Sequence, residues 1–252
     1  MNNLADVGLG LVIGLALGLT GGGGSIITLP LLVYVVGEAV HPAIATSLAI
    51  VGTIAAQGSI AQRAIVRWKM GAILGACGLL GAVPGSLLSR AVPGNVLLML
   101  FAATMLVAAA AMLRSRKETL ETGKSAAPAI VVAAGFGLGF LTGFLGVGGG
   151  FLIVPTLVFV LGLSMRNAIA TSLFVIALNS MSSLITHAFD GSIVWSVVGL
   201  FVLGGISGNV IGLAIGKRLA HQQLKQVFAV FVMGVGLFTG ASATGILPFH
   251  VK

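Results

Sequence analysis

Ala43-Ile44-Ala45-Thr46-Ser47-Leu48 returns letter for letter as Ala168-Ile169-Ala170-Thr171-Ser172-Leu173, 125 positions further on in a chain of 252 residues. The same offset carries Gly10, Gly14 and Gly18 onto Gly135, Gly139 and Gly143. It also carries Gly21, Gly23 and Gly24 onto Gly146, Gly148 and Gly149, and Pro30 onto Pro155. One unit has been built twice. The reading divides the chain into a first repeat over 1–113, a connecting loop over 114–126 and a second repeat over 127–252.

The solvent of this chain is lipid. Hydrophobic residues make up 58% of it and charged ones 7%, too few charges to cover a soluble domain of this size. Met1 to Asp6 lacks a basic leader, so the first apolar run is expected to stay in place. A net charge of +8 raises the question of nucleic acid. The basic residues, however, fall in short clusters between apolar runs and form no stripe, which suits loops facing the cytoplasm and anionic lipid. The single cysteine, Cys77, lies in an apolar run and has no partner for a disulfide.

Apolar runs near 4–19, 26–36, 43–60, 71–88 and 96–113 are answered by 127–145, 151–161, 168–184, 195–215 and 227–247. Two of them, 26–36 and 151–161, are far short of the ~20 residues a full span needs. Each follows a glycine cluster, Gly21-Gly22-Gly23-Gly24-Ser25 or Gly146-Val147-Gly148-Gly149-Gly150. Each repeat therefore opens on a broken or re-entrant helical hairpin whose glycine tip stops inside the membrane; a shallow tip at the surface is the alternative.

Loop charges set the orientation. Arg63, Arg67 and Lys69 in the first repeat face only His187 and Asp190 in the second, whereas Arg90 alone faces Lys217, Arg218 and Lys225. Lysine and arginine favour the cytoplasm. Equivalent loops then lie on opposite faces, and the fold class is an all-α polytopic membrane protein of two inverted-topology repeats with about five helical segments each. Both termini are expected on the non-cytoplasmic side of the membrane.

Two such tips would face each other near the midplane across a chamber. Helices beginning at Ser25 and Gly150 would aim unpaired N–H groups and the positive end of the helix dipole into it, an environment for an anion. The candidate substrate-binding residues are Thr20, Gly21, Gly22, Gly23, Gly24, Ser25, Thr46, Ser47, Gly146, Gly148, Gly149, Gly150, Thr171, Ser172 and Asn179. For Thr46, Ser47, Thr171 and Ser172, local capping or back-bonding to the helix is the competing role. For Asn179 it is helix–helix hydrogen bonding, a role also open to Asn209. Glycines every four residues at Gly10, Gly14 and Gly18, and at Gly204, Gly208, Gly212 and Gly216, read as packing seams.

Enzyme chemistry has no foothold in the motifs. Gly21–Ser25 lacks the lysine of a phosphate loop, and Gly146–Gly150 follows an apolar helix where a dinucleotide fold needs a strand. His41, His187, His221 and His250 have no metal-ligand spacing, so neither a metal nor another cofactor is expected. The carboxylates Asp6, Glu38, Glu118, Glu121 and Asp190 fall near membrane ends or in loops. The expected partners are a small anion and the lipid bilayer, with no nucleic acid; the glycine ladders would also serve a homodimer seam.

The stretch Gly18-Leu-Thr-Gly-Gly-Gly-Gly-Ser-Ile-Ile-Thr-Leu-Pro30 followed by Ala45-Thr46-Ser47, and its copy from Gly143 to Pro155 followed by Ala170-Thr171-Ser172, resemble the signature of the sulfite exporter TauE/SafE family of bacterial permeases. The resemblance covers essentially the whole chain. It implies a multi-pass inner-membrane permease that moves a small sulfur-containing anion such as sulfite, a sulfonate or sulfoacetate, with a channel or facilitator for another anion as the alternative. Ser25 becomes Gly150 and Thr20 becomes Leu145 in the second copy, so the two tips are expected to contribute unequally.

Overall fold

The structure is a computed structural model and describes residues 3–38, 40–89, 91–114, 127–145, 150–188 and 193–243. The connecting loop beyond Arg114, the two termini and the Gly146–Gly149 part of the second tip lie outside the described residues. Among the described residues the regular structure is all helical. Its α-helices are α1 (Asn3–Thr20), α2 (Gly23–Pro30), α3 (Val40–Ala61), α4 (Trp68–Ser89) and α5 (Gly94–Arg114), then α6 (Pro128–Leu145), α7 (Gly150–Pro155), α8 (Met165–Ala188), α9 (Trp195–Arg218) and α10 (His221–Ala243). Five of these are long and apolar enough to cross a membrane by length and composition.

α2 and α7 both stop at a proline and continue as a π-helical turn, Leu31–Val36 and Thr156–Val160. Proline has no N–H to give the carbonyl four residues back, so the ladder loosens into the wider register there. Each π turn then ends on a glycine with positive φ, Gly37 at 83° and Gly162 at 67°. The next N–H closes the end, from Glu38 to the Leu32 carbonyl at 3.0 Å and from Leu163 to the Leu157 carbonyl at 2.9 Å. These glycine stops are 125 residues apart, the offset of the duplication.

The glycine ladders are packing seams. A methyl placed on Gly10, Gly14 or Gly18 of α1 would strike the backbone of Phe201, Gly205 or Asn209 on α9. One on Gly135, Gly139 or Gly143 of α6 would strike Leu74, Gly78 or Ala82 on α4. The partners of the two seams differ by 127 positions throughout, so the same contact has been made twice. Lipid tails are as apolar as leucine, and backbone-to-backbone approach of this kind is what holds helices together in a bilayer.

Paired positions also fix the sense of each helix pair. α1 and α9 run parallel, because their contacts rise together in number, and so do α4 and α6. α3 runs parallel to α9, with Thr46 by Val194 and Gln57 by Asn209. α4 runs parallel to α8, with Arg67 by Thr171 and Gly75 by Leu178. α3 and α8 are antiparallel, with Gly52 by Ser180 and Gly58 by Leu173. The pair α5 and α10 is also antiparallel, with Gly236 by Met105 and Gly240 by Ala102. Leu80, Val107, Trp195, Leu203, Val230 and Leu237 are exposed on the outside, the surface lipid would cover.

Candidate functional site

The first tip is closed by its own residues. The Thr20 hydroxyl donates to the Ala16 carbonyl at 2.6 Å and accepts the N–H of Gly23 at 2.8 Å, which caps α2. The short helix therefore starts at Gly23, two residues before the Ser25 start expected from the sequence. Between the helices Gly21 adopts φ 70°, a left-handed conformation that glycine supplies without strain. Its carbonyl accepts the Ser172 hydroxyl at 2.7 Å, and that hydroxyl oxygen also lies 2.8 Å from the Ile169 carbonyl of its own helix. Ser25 donates back to the Gly22 carbonyl at 2.7 Å.

Gly150, the first residue of α7, sits directly against this tip. A methyl on Gly22 would overlap the Gly150 carbonyl, and one on Gly150 would meet the Ser25 hydroxyl. Where the sequence suggested a chamber between the tips, the described residues touch backbone to backbone. Thr20, Gly21, Gly22, Gly23, Gly24, Ser25, Gly150 and Ser172 are thus gathered from α1, α2, α7 and α8, and all but Ser25 are buried. Beyond the capped Gly23, the first-turn amides of α2 have no partner within the helix. The cluster offers donors and a positive helix end without a fixed charge. Gly146, Gly148 and Gly149 lie outside the described residues.

Other candidates are placed elsewhere. Thr46 and Thr171 are fully buried and accept the N–H of Val194 at 3.4 Å and of Arg67 at 3.1 Å, equivalent bonds that hold the chain just before α9 and α4. Ser47 donates to the Ile44 carbonyl at 2.8 Å, inside its own helix. Asn179 lies on α8 two turns beyond Ser172, about 10 Å along the axis. Its Oδ1 is buried without a partner, beside Gly75 of α4. Asn209 bridges helices, donating to the Ile54 carbonyl at 3.2 Å and to Gln57 Oε1 at 2.8 Å.

The family model described as sulfite exporter TauE/SafE matches residues 7–239. The chain belongs to the TauE/SafE family. A probable membrane transporter protein of Xylella fastidiosa strain Temecula1 is 34% identical over 93% of this chain and 94% of its own length. Its counterpart in strain 9a5c is 35% identical over the same shares. The probable membrane transporter protein YunE of Bacillus subtilis is 30% identical over 42% of this chain and 38% of its own length. No solved structure matches the chain. The protein is a multi-pass member of this family of membrane transporters.

Three features of this TauE/SafE chain escaped the sequence reading. Lys225, expected in a cytoplasmic loop, stands in the second turn of α10 and is 1% exposed, its ammonium 5.8 Å from the centre of the Phe159 ring. Phe231, six residues on and about 9 Å along the helix, presses its ring against Gly23 of the tip. A basic residue one turn after His221 in a run that turns apolar two residues later was the available signal.

Glu38 is the second. It follows the glycine stop of the first hairpin, where the other copy has the buried Leu163. Both carboxylate oxygens are shut off from water, and neither makes a well-formed hydrogen bond. Burial pushes this carboxyl above the ordinary carboxylate range; the Thr46 hydroxyl beside it only partly offsets the effect.

The third is a cavity of about 170 Å³ beside the tip. Gly18, Ile169 and Leu213 line its deep end, and Gln62, Arg166 and Lys217 are also in its wall. No sequence spacing brings these six residues together; the fold does.

Proposed function

We propose that the protein is a secondary transporter that moves a small sulfur oxyanion, such as sulfite, a sulfonate or sulfoacetate, across the bacterial inner membrane by alternating access. The observation that carries this reading is the meeting of two glycine hairpin ends, Gly22 from one half and Gly150 from the other. Non-helical backbone at membrane depth persists where protein or a wet cavity satisfies it, and such breaks are where carriers bind their substrates. Amides and hydroxyls hold an oxyanion without the deep trap of a fixed opposite charge.

The halves act as inverted-topology copies. Support comes from the senses of the helix pairs: α1, α9 and α3 share one direction, α8, α4 and α6 share another, and α3 opposes α8. Equivalent helices α1 and α6 then point oppositely, as do α5 and α10. Because α1 and α3 share a direction, the chain between them returns to the face it left, as a re-entrant hairpin does. With the Arg63–Lys69 loop in the cytoplasm, both termini lie outside and the membrane is crossed fully by α3–α5 and α8–α10. Rocking one half against the other about the tips would expose the site to each face in turn.

The test is counterflow in proteoliposomes with labelled sulfite and a panel of competing sulfonates. A carrier shows trans-stimulation by unlabelled substrate; uptake with no trans-stimulation assigns a channel instead. Sidedness is checked in a Cys77→Ser background by labelling cysteines placed at Arg67 and at His187. Labelling of both from one face would end the inverted reading.

A further inference from the structure

The cavity beside the tip has a wall chemistry of its own. Arg166 and Lys217 bring two cations to it, and among the described residues its lining holds no carboxylate. Arg166 is fixed by one terminal nitrogen, which donates to the carbonyls of Lys217 at 2.9 Å and Leu219 at 3.1 Å at the end of α9. The remaining donors of its guanidinium fork are not used in those two bonds. Gln62 adds an amide: its Nε2 is closed off from water and has no hydrogen-bond partner among the described residues. A buried donor left unmade is costly, and a turn of the amide toward the cavity would give it an oxyanion as acceptor.

The position matters as much as the charge. Gln62 ends the α3 side, Arg166 begins α8, Lys217 closes α9 and Leu224 opens α10, four helix ends that meet on one face of the bundle. From that face the cavity reaches Gly18, three residues before Gly21, and Ile169, whose Cα a methyl on Gly21 would strike. Its deep end is therefore the flank of the tip itself. Its volume corresponds to about five or six waters at ~30 Å³ each, room for a small oxyanion and part of its hydration.

We propose that this cavity is an anion-binding antechamber, in which Arg166, Lys217 and the Gln62 amide hold a small oxyanion about one helical turn short of the glycine tip. It rests on the reading of the tip as the transport site and makes the cytoplasmic face the one from which this cavity fills. A cleft lined by one sign of charge concentrates its counter-ion by about tenfold or more and loses that advantage as salt screens it. The oxyanion has two sources, a free anion or the phosphate of an anionic lipid headgroup.

The experiment is equilibrium titration of the purified full chain with methanesulfonate in neutral detergent, in the wild type and in a Gly22→Ala background that disturbs the tip. Gln62→Glu sets a negative charge among the donors at nearly unchanged volume; Lys217→Gln removes one cation without touching the carbonyl that anchors Arg166. Each is expected to weaken methanesulfonate binding about tenfold in both backgrounds, and Lys217→Gln to flatten the salt dependence. Arg166→Lys keeps the charge and loses the fork, so binding falls less than with Arg166→Gln. Thermal unfolding of each variant reports whether the fold is intact. Displacement of methanesulfonate by phosphatidylglycerol, and not by phosphatidylcholine, would assign the headgroup as the occupant of the same oxyanion site. Unchanged binding in Gln62→Glu and Lys217→Gln overturns the antechamber, even if Gly22→Ala abolishes transport and the tip reading stands. Weakened binding with normal transport by Gly22→Ala leaves the antechamber and removes the tip.

Discussion

Substituting Gly22 by alanine is the sharpest perturbation of the tip. The added carbon would lie inside the van der Waals envelope of the Gly150 carbonyl, with backbone and no flexible side chain as its nearest neighbours. Non-bonded atoms settle at about 3.5–4 Å, so α2 and α7 must part by roughly 1 Å or more. Overpacking of this kind costs about 1–3 kcal/mol, which is about 5–150-fold in the equilibrium between apposed and separated tips. The rest of the fold does not depend on that contact, since the α1–α9 and α4–α6 seams and the α3–α8 crossing are elsewhere. Insertion and oligomeric state should therefore be unchanged while initial transport rates in proteoliposomes fall by one to two orders of magnitude. Gly8→Ala on α1 is the matched control, because a methyl there meets nothing within 4 Å. Transport by Gly22→Ala at the wild-type rate and affinity would refute the argument that the apposed tips form the working site.

Glu38 gives a pH prediction whose sign is fixed. Its carboxyl is raised in the folded state by burial, so between the ordinary carboxylate value and the raised one the folded chain holds a proton the unfolded chain has lost. Stability therefore falls as pH rises through that window, and Glu38→Gln should unfold at a higher temperature than wild type at neutral pH and at the same temperature in acid; equal melting at both would contradict the burial. Gly14→Val and Gly139→Val load the two copies of one seam, each against a backbone carbonyl. Both should lower the melting temperature through costs of about 1–3 kcal/mol or more, and a large loss in one with none in the other would show that the seams are not equivalent. Gly21→Ala is expected to reduce transport more than stability, because a left-handed alanine costs about 1–2 kcal/mol locally and displaces the Ser172 hydroxyl from the tip.

The duplicated residues made the helix order legible, because a repeat of 125 positions in so apolar a chain leaves few ways to be read. Gly21 through Ser25 also announced a break, since a glycine run cannot hold a helix through it. The site was legible only in part. Thr20 and Ser25 were named as flanking the tip and Ser172 as opening the third helix of its repeat, and all three bond to the tip or within it. Thr46 and Thr171 look the same in sequence, yet the fold spends them on the chain ends before α9 and α4, a distinction set by partners 148 and 104 residues away. Lys225 was misplaced because charge alone was taken to mark a loop, and Glu38, which does lie in the loop before α3, was not expected to be buried there. The cavity was invisible because its residues come from four helix ends whose only relation is spatial.

The two copies also show which parts of such a protein are free to diverge. At the seams the partner of each glycine is a backbone atom, and a backbone carbonyl stays in the same place whatever side chain hangs from it. Gly14 against Gly205 and Gly139 against Gly78 are accordingly the same contact twice. At the tips side chains also take part: Thr20 caps α2 where the second copy has Leu145, and Ser25 stands where it has Gly150. A hydroxyl lost from one tip can be supplied across the interface by the other half, as Ser172 of the second repeat supplies Gly21 of the first. An interlocked pair can therefore keep a symmetric scaffold while concentrating its polar groups on one side of the contact. The same logic lets Glu38 occupy the position of Leu163, because the glycine stop before each fixes the backbone and leaves the side chain open to a new use. The two copies thus have equivalent glycine stops and seams and unequal tips.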